Sequence, residues 1–181
     1  DSARMSDHFD VIVIGCGGIG SAAVYYAAKL GLKILGIERF DLVHDRGSSH
    51  GQTRVIRKAY FEHPDYVPLL QRAYENWHEF EEQIGRQLYF RTGLLEVGLE
   101  SGALIHGVRT SALQHSLPLE NVDRLSFNNR FPGFELPENA VAVFEPDAGF
   151  LLVEECVRAY LQASRQFGAT LQFNERVIGW K

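Results

Sequence analysis

Between Phe9 and Glu38 the chain reads FDVIVIGCGGIGSAAVYYAAKLGLKILGIE, and few folds accommodate that order of residues. Val11–Ile14 is a β-branched apolar run of the kind that fills a parallel strand buried on both faces. Gly15-Cys16-Gly17-Gly18-Ile19-Gly20 then satisfies G-x-G-x-x-G. Residues 21–30, rich in alanine, predict a helix, and Gly31 is a natural stop for it. A second apolar run, Ile34–Ile37, ends on the acid Glu38. Each glycine has a mechanical reason. Gly15 makes the tight turn, Gly17 lets backbone approach a pyrophosphate, and Gly20 lets helix pack closely on strand. The helix N-terminus offers N–H groups and partial positive charge to that pyrophosphate. Glu38 stands about 20 residues past the glycines, where a carboxylate can accept hydrogen bonds from ribose hydroxyls. Strand, glycine loop, helix and terminal acid together point to a bound dinucleotide. Glu38 would repel a 2′-phosphate, which argues against NADP; FAD and NAD both remain open on this stretch alone.

A chain of 181 residues suggests one domain or slightly more. Its 45% hydrophobic and 23% charged content is ordinary for a globular protein. A formal charge of −5 gives no reason to expect nucleic acid or an anionic membrane as partner. No apolar run approaches the length of a membrane span. Residues 1–7 are polar and hold no apolar signal core, with Met5 a candidate natural start, so secretion is not expected. Cys16 and Cys156 are too few for a disulfide framework and form no metal motif. Both read as structural, and a reducing, intracellular setting is expected, cytoplasmic or, in a eukaryote, peroxisomal.

Beyond Glu38 comes a loop of mixed charge, then Gly47-Ser48-Ser49-His50-Gly51-Gln52-Thr53, crowded with small and hydrogen-bonding residues. Residues 65–83 show helical spacing, with Val67, Leu70, Ala73, Tyr74, Trp77 and Phe80 on one apolar stripe. From Leu88 the period changes, and residues 88–91 and 94–97 read as two strands around the Thr92-Gly93 turn. Residues 101–115 predict a helix, 122–130 a shorter one, and Ala140–Glu145 a strand. Residues 153–167 form a good amphipathic helix stopped by Gly168, and 170–173 and 176–180 read as two more strands. The expected class is α/β: a Rossmann-like nucleotide-binding βαβ unit interrupted by mostly antiparallel β material and then resumed.

Arg54 and Arg57 lie three apart beside the small-residue loop. Ligands of open α/β sheets sit outside the carboxyl ends of the strands, so this loop can fold back toward a cofactor. Two guanidiniums there can hold a substrate carboxylate by paired N–H bonds, or stabilise negative charge on a reduced isoalloxazine ring. A solvated basic face is the plain alternative. His50 and Tyr60 read equally well as a loop donor and a core aromatic.

The glycine loop, Glu38 and the run Gly47-Ser48-Ser49-His50-Gly51-Gln52-Thr53-Arg54-Val55-Ile56-Arg57-Lys58-Ala59-Tyr60 together resemble the monomeric sarcosine oxidase family. That family groups with N-methyltryptophan oxidase and the peroxisomal sarcosine/pipecolate oxidases, and the basic loop is most similar in wording to the peroxisomal type. Tyr66-Val67-Pro68, Arg91-Thr92-Gly93-Leu94, Arg130-Phe131-Pro132-Gly133 and Phe144-Glu145-Pro146-Asp147-Ala148-Gly149 resemble further segments in the same order. The resemblance implies a flavoenzyme that oxidises the C–N bond of a secondary amino acid, N-methyl or cyclic, to an imine while O2 becomes H2O2. By position it implies Gly15, Gly17, Gly18, Ile19 and Gly20 on the FAD pyrophosphate. Glu38 falls on the ribose with Arg39 beside it, and Val177 where backbone meets adenine. Ser49, His50 and Arg54 are implied along the path to the flavin ring, Arg54 acting electrostatically. Arg57 is implied on the substrate carboxylate, with Tyr60 positioning it.

The same resemblance implies an FAD-binding domain over residues 8–87 and 151–181, with part of a substrate domain over 88–150. Family members are about twice as long, and their flavin-linking cysteine, oxygen-activating lysine and second carboxylate-binding residue fall beyond Lys181. Neither Cys16 nor Cys156 matches the linking cysteine. A C-terminal half, on the same or a separate chain, is then needed to pair the open sheet edges, and residues 1–181 alone are expected to be inactive. Three rival readings stand beside this one: a dehydrogenase or demethylase using another acceptor, a non-catalytic dinucleotide-binding fragment, and an NAD-dependent enzyme. The last leaves the double-arginine loop unexplained.

Overall fold

The computed structural model describes residues 8–180. The polar opening stretch and Met5 lie outside the described residues. In chain order the elements are β1 (Val11–Ile14), α1 (Gly18–Lys29), β2 (Ile34–Ile37), β3 (Arg54–Ile56), α2 (Val67–Ile84), β4 (Tyr89–Phe90) and β5 (Leu94–Leu99). There follow α3 (Ala103–Gln114), β6 (Glu120–Val122), α4 (Arg124–Arg130), β7 (Ala140–Glu145), β8 (Gly149–Leu151), α5 (Val153–Gln166) and β9 (Thr170–Gln172). The chain divides into two units: one runs to Thr53 and resumes at Leu152, and the other is Arg54–Leu151.

The first unit is built on a parallel sheet ordered β1-β2-β9. Val11 stands opposite Ile34, and Leu35 opposite Thr170. Val24 and Ala28 of α1 meet Val157 and Leu161 of α5 in one buried cluster with Cys16 and Ile34, which Val11, Val13 and Leu171 join from the sheet. Tyr25 adds a ring contact to Tyr160 at 5.2 Å and another to Phe167 at 5.9 Å. β1 departs from expectation: Val11 and Val13 pack on the core while Ile12 and Ile14 are 55% and 56% exposed. Burial on both faces needs helices on both, and α1 and α5 join the same cluster on one face of β1. A second correction concerns residues 176–180, which form no strand. Asn174 takes a left-handed φ of +58° and turns the chain out of β9. The N–H groups of Asn174 and Glu175 donate to the carbonyls of Phe40 and Glu38 at 3.1 and 3.0 Å, so they serve the loop after β2 instead of a ladder. Val177 is therefore half-buried in an irregular segment, not in a late strand.

The second unit carries two antiparallel sheets, β3-β8-β4 and β5-β7-β6. It begins at Arg54, where β3 pairs with β8, Val55 opposite Phe150. β4 and β5 flank one turn yet belong to different sheets: β4 pairs with β8 and β5 with β7. Val122 ends β6 opposite Ala142 instead of opening a helix. Asp123 then caps α4, its carboxylate accepting the Ser126 N–H at 2.9 Å. Strand alternation gives β7 two packed faces. Val143 joins Ala59, Ile105 and Val108 on one side, and Ala142 joins Val122, Phe127 and Leu136 on the other. α2 buries Val67, Tyr74 and Phe80, in keeping with its apolar stripe. Among the described residues no helix is long and apolar enough to cross a membrane.

Leu161 is fully buried between helix and sheet. In the full-length protein Leu161→Ala should lower unfolding free energy by about 2–5 kcal/mol. A fall in the urea midpoint at unchanged m-value would register it, and an unchanged midpoint would contradict the packing described.

Candidate functional site

Two groups of side chains, one in each unit, carry chemistry. In the first unit Gly15 turns with φ +88°, and its N–H donates to the Ile37 carbonyl at 2.8 Å, tying the glycine loop to β2. A Cβ on Gly20 would lie 1.8 Å from the Gly15 carbonyl oxygen, so only glycine lets α1 begin this close to β1. Gly17 gives α1 no side-chain cap. Ser49 supplies it from across the unit, its Oγ accepting the Gly18 N–H at 2.9 Å. The first bond into the helix runs from Ser21 N–H to the Gly17 carbonyl, so the N–H groups of Ile19 and Gly20 precede the intrahelical ladder.

Glu38 is 6% exposed and gathers the surrounding backbone. Its Oε2 accepts the Cys16 N–H at 2.8 Å, and its Oε1 accepts the Phe40 N–H at 3.1 Å. His44 Nε2 lies 3.3 Å from Oε1. Because His44 Nδ1 accepts the Arg46 N–H at 3.1 Å, the imidazole proton belongs on Nε2, facing Glu38. A carboxylate has about four lone-pair sites, so capacity for a ribose hydroxyl remains. Burial first, and Glu38 second, push the Cys16 thiol up to about 11, so Cys16 is a neutral packing group. A cavity of about 220 Å³ opens here, lined by Cys16, Gly17, Glu38, Leu42, Val43, His44, Gly47, Ser48, Ser49 and Val157. Val177 does not line it. Arg39 is exposed, its guanidinium 5.1 Å from the Phe40 ring. His50 is exposed on a loop that Gly51 anchors, its N–H donating to Glu154 Oε1 at 2.8 Å.

In the second unit Arg54 is exposed on β3, opposite Leu151. Arg57 is far more enclosed. Its side chain is 20% exposed, and its guanidinium sits 4.4 Å from the Tyr60 ring centroid and 5.9 Å from that of Phe61. Nη2 is 3.5 Å from Glu62 Oε1, and Nε is 3.9 Å from Glu96 Oε1. The segment that carries Arg57 is pinned by Glu145, only 1% exposed, which accepts the N–H groups of Lys58 at 2.7 Å and Ala59 at 3.1 Å. Burial raises the Glu145 carboxyl while those two N–H groups pull it back down. Ser111 donates its hydroxyl to the Tyr60 carbonyl, and the Tyr66 ring lies 5.6 Å from that of Tyr60.

Cys16, Gly17, Glu38 and Ser49 thus share one cavity, and Arg57 and Tyr60 share one contact in the other unit. Sequence reasoning missed His44, Glu96 and Glu145. The last two had a signal: each is an acid at a core-facing position of an otherwise apolar strand, LLEVGL and AVAVFE.

The family model described as FAD dependent oxidoreductase matches residues 10–181. The monomeric sarcosine oxidase of Streptomyces avermitilis is 42% identical over 177 residues, 98% of this chain and 46% of that protein. The N-methyl-L-tryptophan oxidase of Yersinia pestis is 39% identical over 166 residues, 92% of this chain and 45% of that protein. Among solved structures, NikD, an unusual amino acid oxidase essential for nikkomycin biosynthesis, aligns with a TM-score of 0.79 at 25% identity, covering 92% of this chain and 43% of that one. The chain spans just under half the length of the curated relatives it matches.

Glu145→Ala should strand two buried N–H groups, at about 1–3 kcal/mol each. The expected outcome is a marked fall in the thermal midpoint of the full-length protein, with Glu145→Gln, which keeps one acceptor, falling less. Equal midpoints for Ala and wild type would contradict this role.

Proposed function

The chain belongs to the FAD dependent oxidoreductase family, and on that premise we propose that it forms the N-terminal part of an oxidase of secondary amino acids. The substrate class is N-methyl or cyclic amino acids such as sarcosine or pipecolate, oxidised at the C–N bond to an imine while O2 becomes H2O2. The observation that carries this reading is Arg57. It is a largely enclosed guanidinium laid over an aromatic face, and its Nε has no hydrogen-bond partner among the described residues. A planar cation held that way suits bidentate capture of a carboxylate. The sarcosine oxidase of Streptomyces and the N-methyl-L-tryptophan oxidase of Yersinia, by their names, act on amines that carry one.

The glycine loop supports a Rossmann-like FAD site. N–H groups of Ile19 and Gly20, ahead of the α1 ladder, suit the pyrophosphate, and Glu38 with its remaining acceptor site suits the ribose. Bound there, FAD supplies the acceptor for the hydride equivalent lost from the substrate carbon. Within this chain Arg57 holds the carboxylate, the Tyr60 ring orients the guanidinium, and Glu145 fixes the backbone between them. Arg54, exposed on β3, suits electrostatic stabilisation of a reduced ring, and His50, exposed on its loop, suits a donor role.

Arg57→Ala in the full-length protein should raise KM for the amino acid at least tenfold, about 1.4 kcal/mol, with Arg57→Lys recovering part of it. An unchanged KM would remove Arg57 from this role. Expressed alone, residues 1–181 should show no amine turnover, since β1 leaves Ile12 and Ile14 uncovered and the relatives are more than twice as long. H2O2 production by that polypeptide would overturn the two-part reading.

A further inference from the structure

Glu96 is a charged group that the proposed reaction does not use, and its surroundings are unusual. Its side chain is 10% exposed, and its Oε2 is buried with no hydrogen-bond partner among the described residues. Arg57 Nε is buried and unpartnered in the same way. The two residues face each other at 3.9 Å, close enough for ionic attraction and too far for a hydrogen bond. Leaving two such groups unsatisfied is costly, and each keeps bonding capacity for a third party.

The register explains how they meet. Glu96 pairs with Val143 and Leu94 with Glu145, so both acids project from the same face of the β5–β7 pair, the face Val143 packs against Ala59. Arg57 and Glu62 reach Glu96 from the segment after β3, and Glu145 acts on it from β7. From α3, His106 is exposed and Arg109 is held by Glu100 and Asn121. One guanidinium therefore stands among three carboxylates before any ligand arrives.

Resting on the reading of Arg57 as a carboxylate anchor, we infer that Glu96 is a specificity-determining residue. Its buried carboxylate competes with a ligand carboxylate for the Arg57 guanidinium and so sets how tightly the site holds an anion. Burial, opposed by Arg57 and reinforced by Glu145 and Glu62, pushes the Glu96 carboxyl up to about 7. The sign follows. Below that pH Glu96 is protonated and neutral, and Arg57 is released to the ligand. Above it Glu96 is ionised, holds Arg57 and repels the incoming carboxylate.

Propionate is the probe, because it carries a carboxylate ionised across the range and no titratable amine. Its Kd is measured by calorimetry on the full-length, FAD-loaded protein, alongside its inhibition constant against the amino acid. For wild type, Kd should rise about tenfold between about pH 6 and pH 8, as one titrating competitor requires. Glu96→Gln should match wild type at the lower pH and stay flat, and Glu96→Leu should do the same if the amide misfolds. A wild-type pH slope in both variants, or weaker binding by them at every pH, overturns the inference. Arg57→Ala separates the two levels. If it leaves propionate binding unchanged, the anchor reading fails and Glu96 with it. If it weakens binding while Glu96→Gln follows wild type, only the role of Glu96 falls.

Discussion

The Glu38 carboxylate, nearly sealed from solvent, accepts the Cys16 N–H at 2.8 Å and the Phe40 N–H at 3.1 Å, with His44 Nε2 3.3 Å from the oxygen that takes Phe40. One acid thereby fastens the glycine loop to the loop that leaves β2. The rest of the first unit depends on that fastening. With Gly15 in a left-handed turn and Gly20 bare of a side chain, the start of α1 is held against the strand ends, and its leading N–H groups stay outside the helix ladder. Ser49 then caps Gly18 from a distant loop, and Glu154 on α5 anchors that loop through Gly51.

Glu145 plays the equivalent part in the second unit. It is buried, ends a core strand, and spends both carboxylate oxygens on consecutive backbone N–H groups, those of Lys58 and Ala59. The residue just before them is Arg57. A cation of this length loses substantial rotamer freedom when enclosed, and the fixed backbone and the faces of Tyr60 and Phe61 restrict it further. Arg57 is thus presented on a fixed segment, with Glu62 and Glu96 near it as counter-charges.

Much of this was legible in the residues. The βαβ unit, its glycines and Glu38 follow from motif and periodicity, because backbone conformation and side-chain alternation are local properties. The stripe on α2 and the strand Ala140–Glu145 were equally readable. Several features were not. The exposure of Ile12 and Ile14 depends on which faces receive helices, and the loss of the strand at 176–180 depends on Asn174 and Glu175 finding acceptors at Phe40 and Glu38. The separation of β4 from β5 rests on their pairing with β8 and β7 across long stretches of chain.

By itself the amino-acid order determined the glycine turn, the acid at the end of β2, the helices and most strands, since each rests on neighbours within a few residues. It also supplied the residues from which family membership could be read. Only the tertiary structure decided that Glu38 binds Cys16, that Glu145 holds the backbone beside Arg57, and that Glu96 stands 3.9 Å from Arg57. Those are meetings of groups tens of residues apart, created when strands pair and apolar faces close. Burial then gives a carboxylate a chemistry that its position in the chain does not reveal.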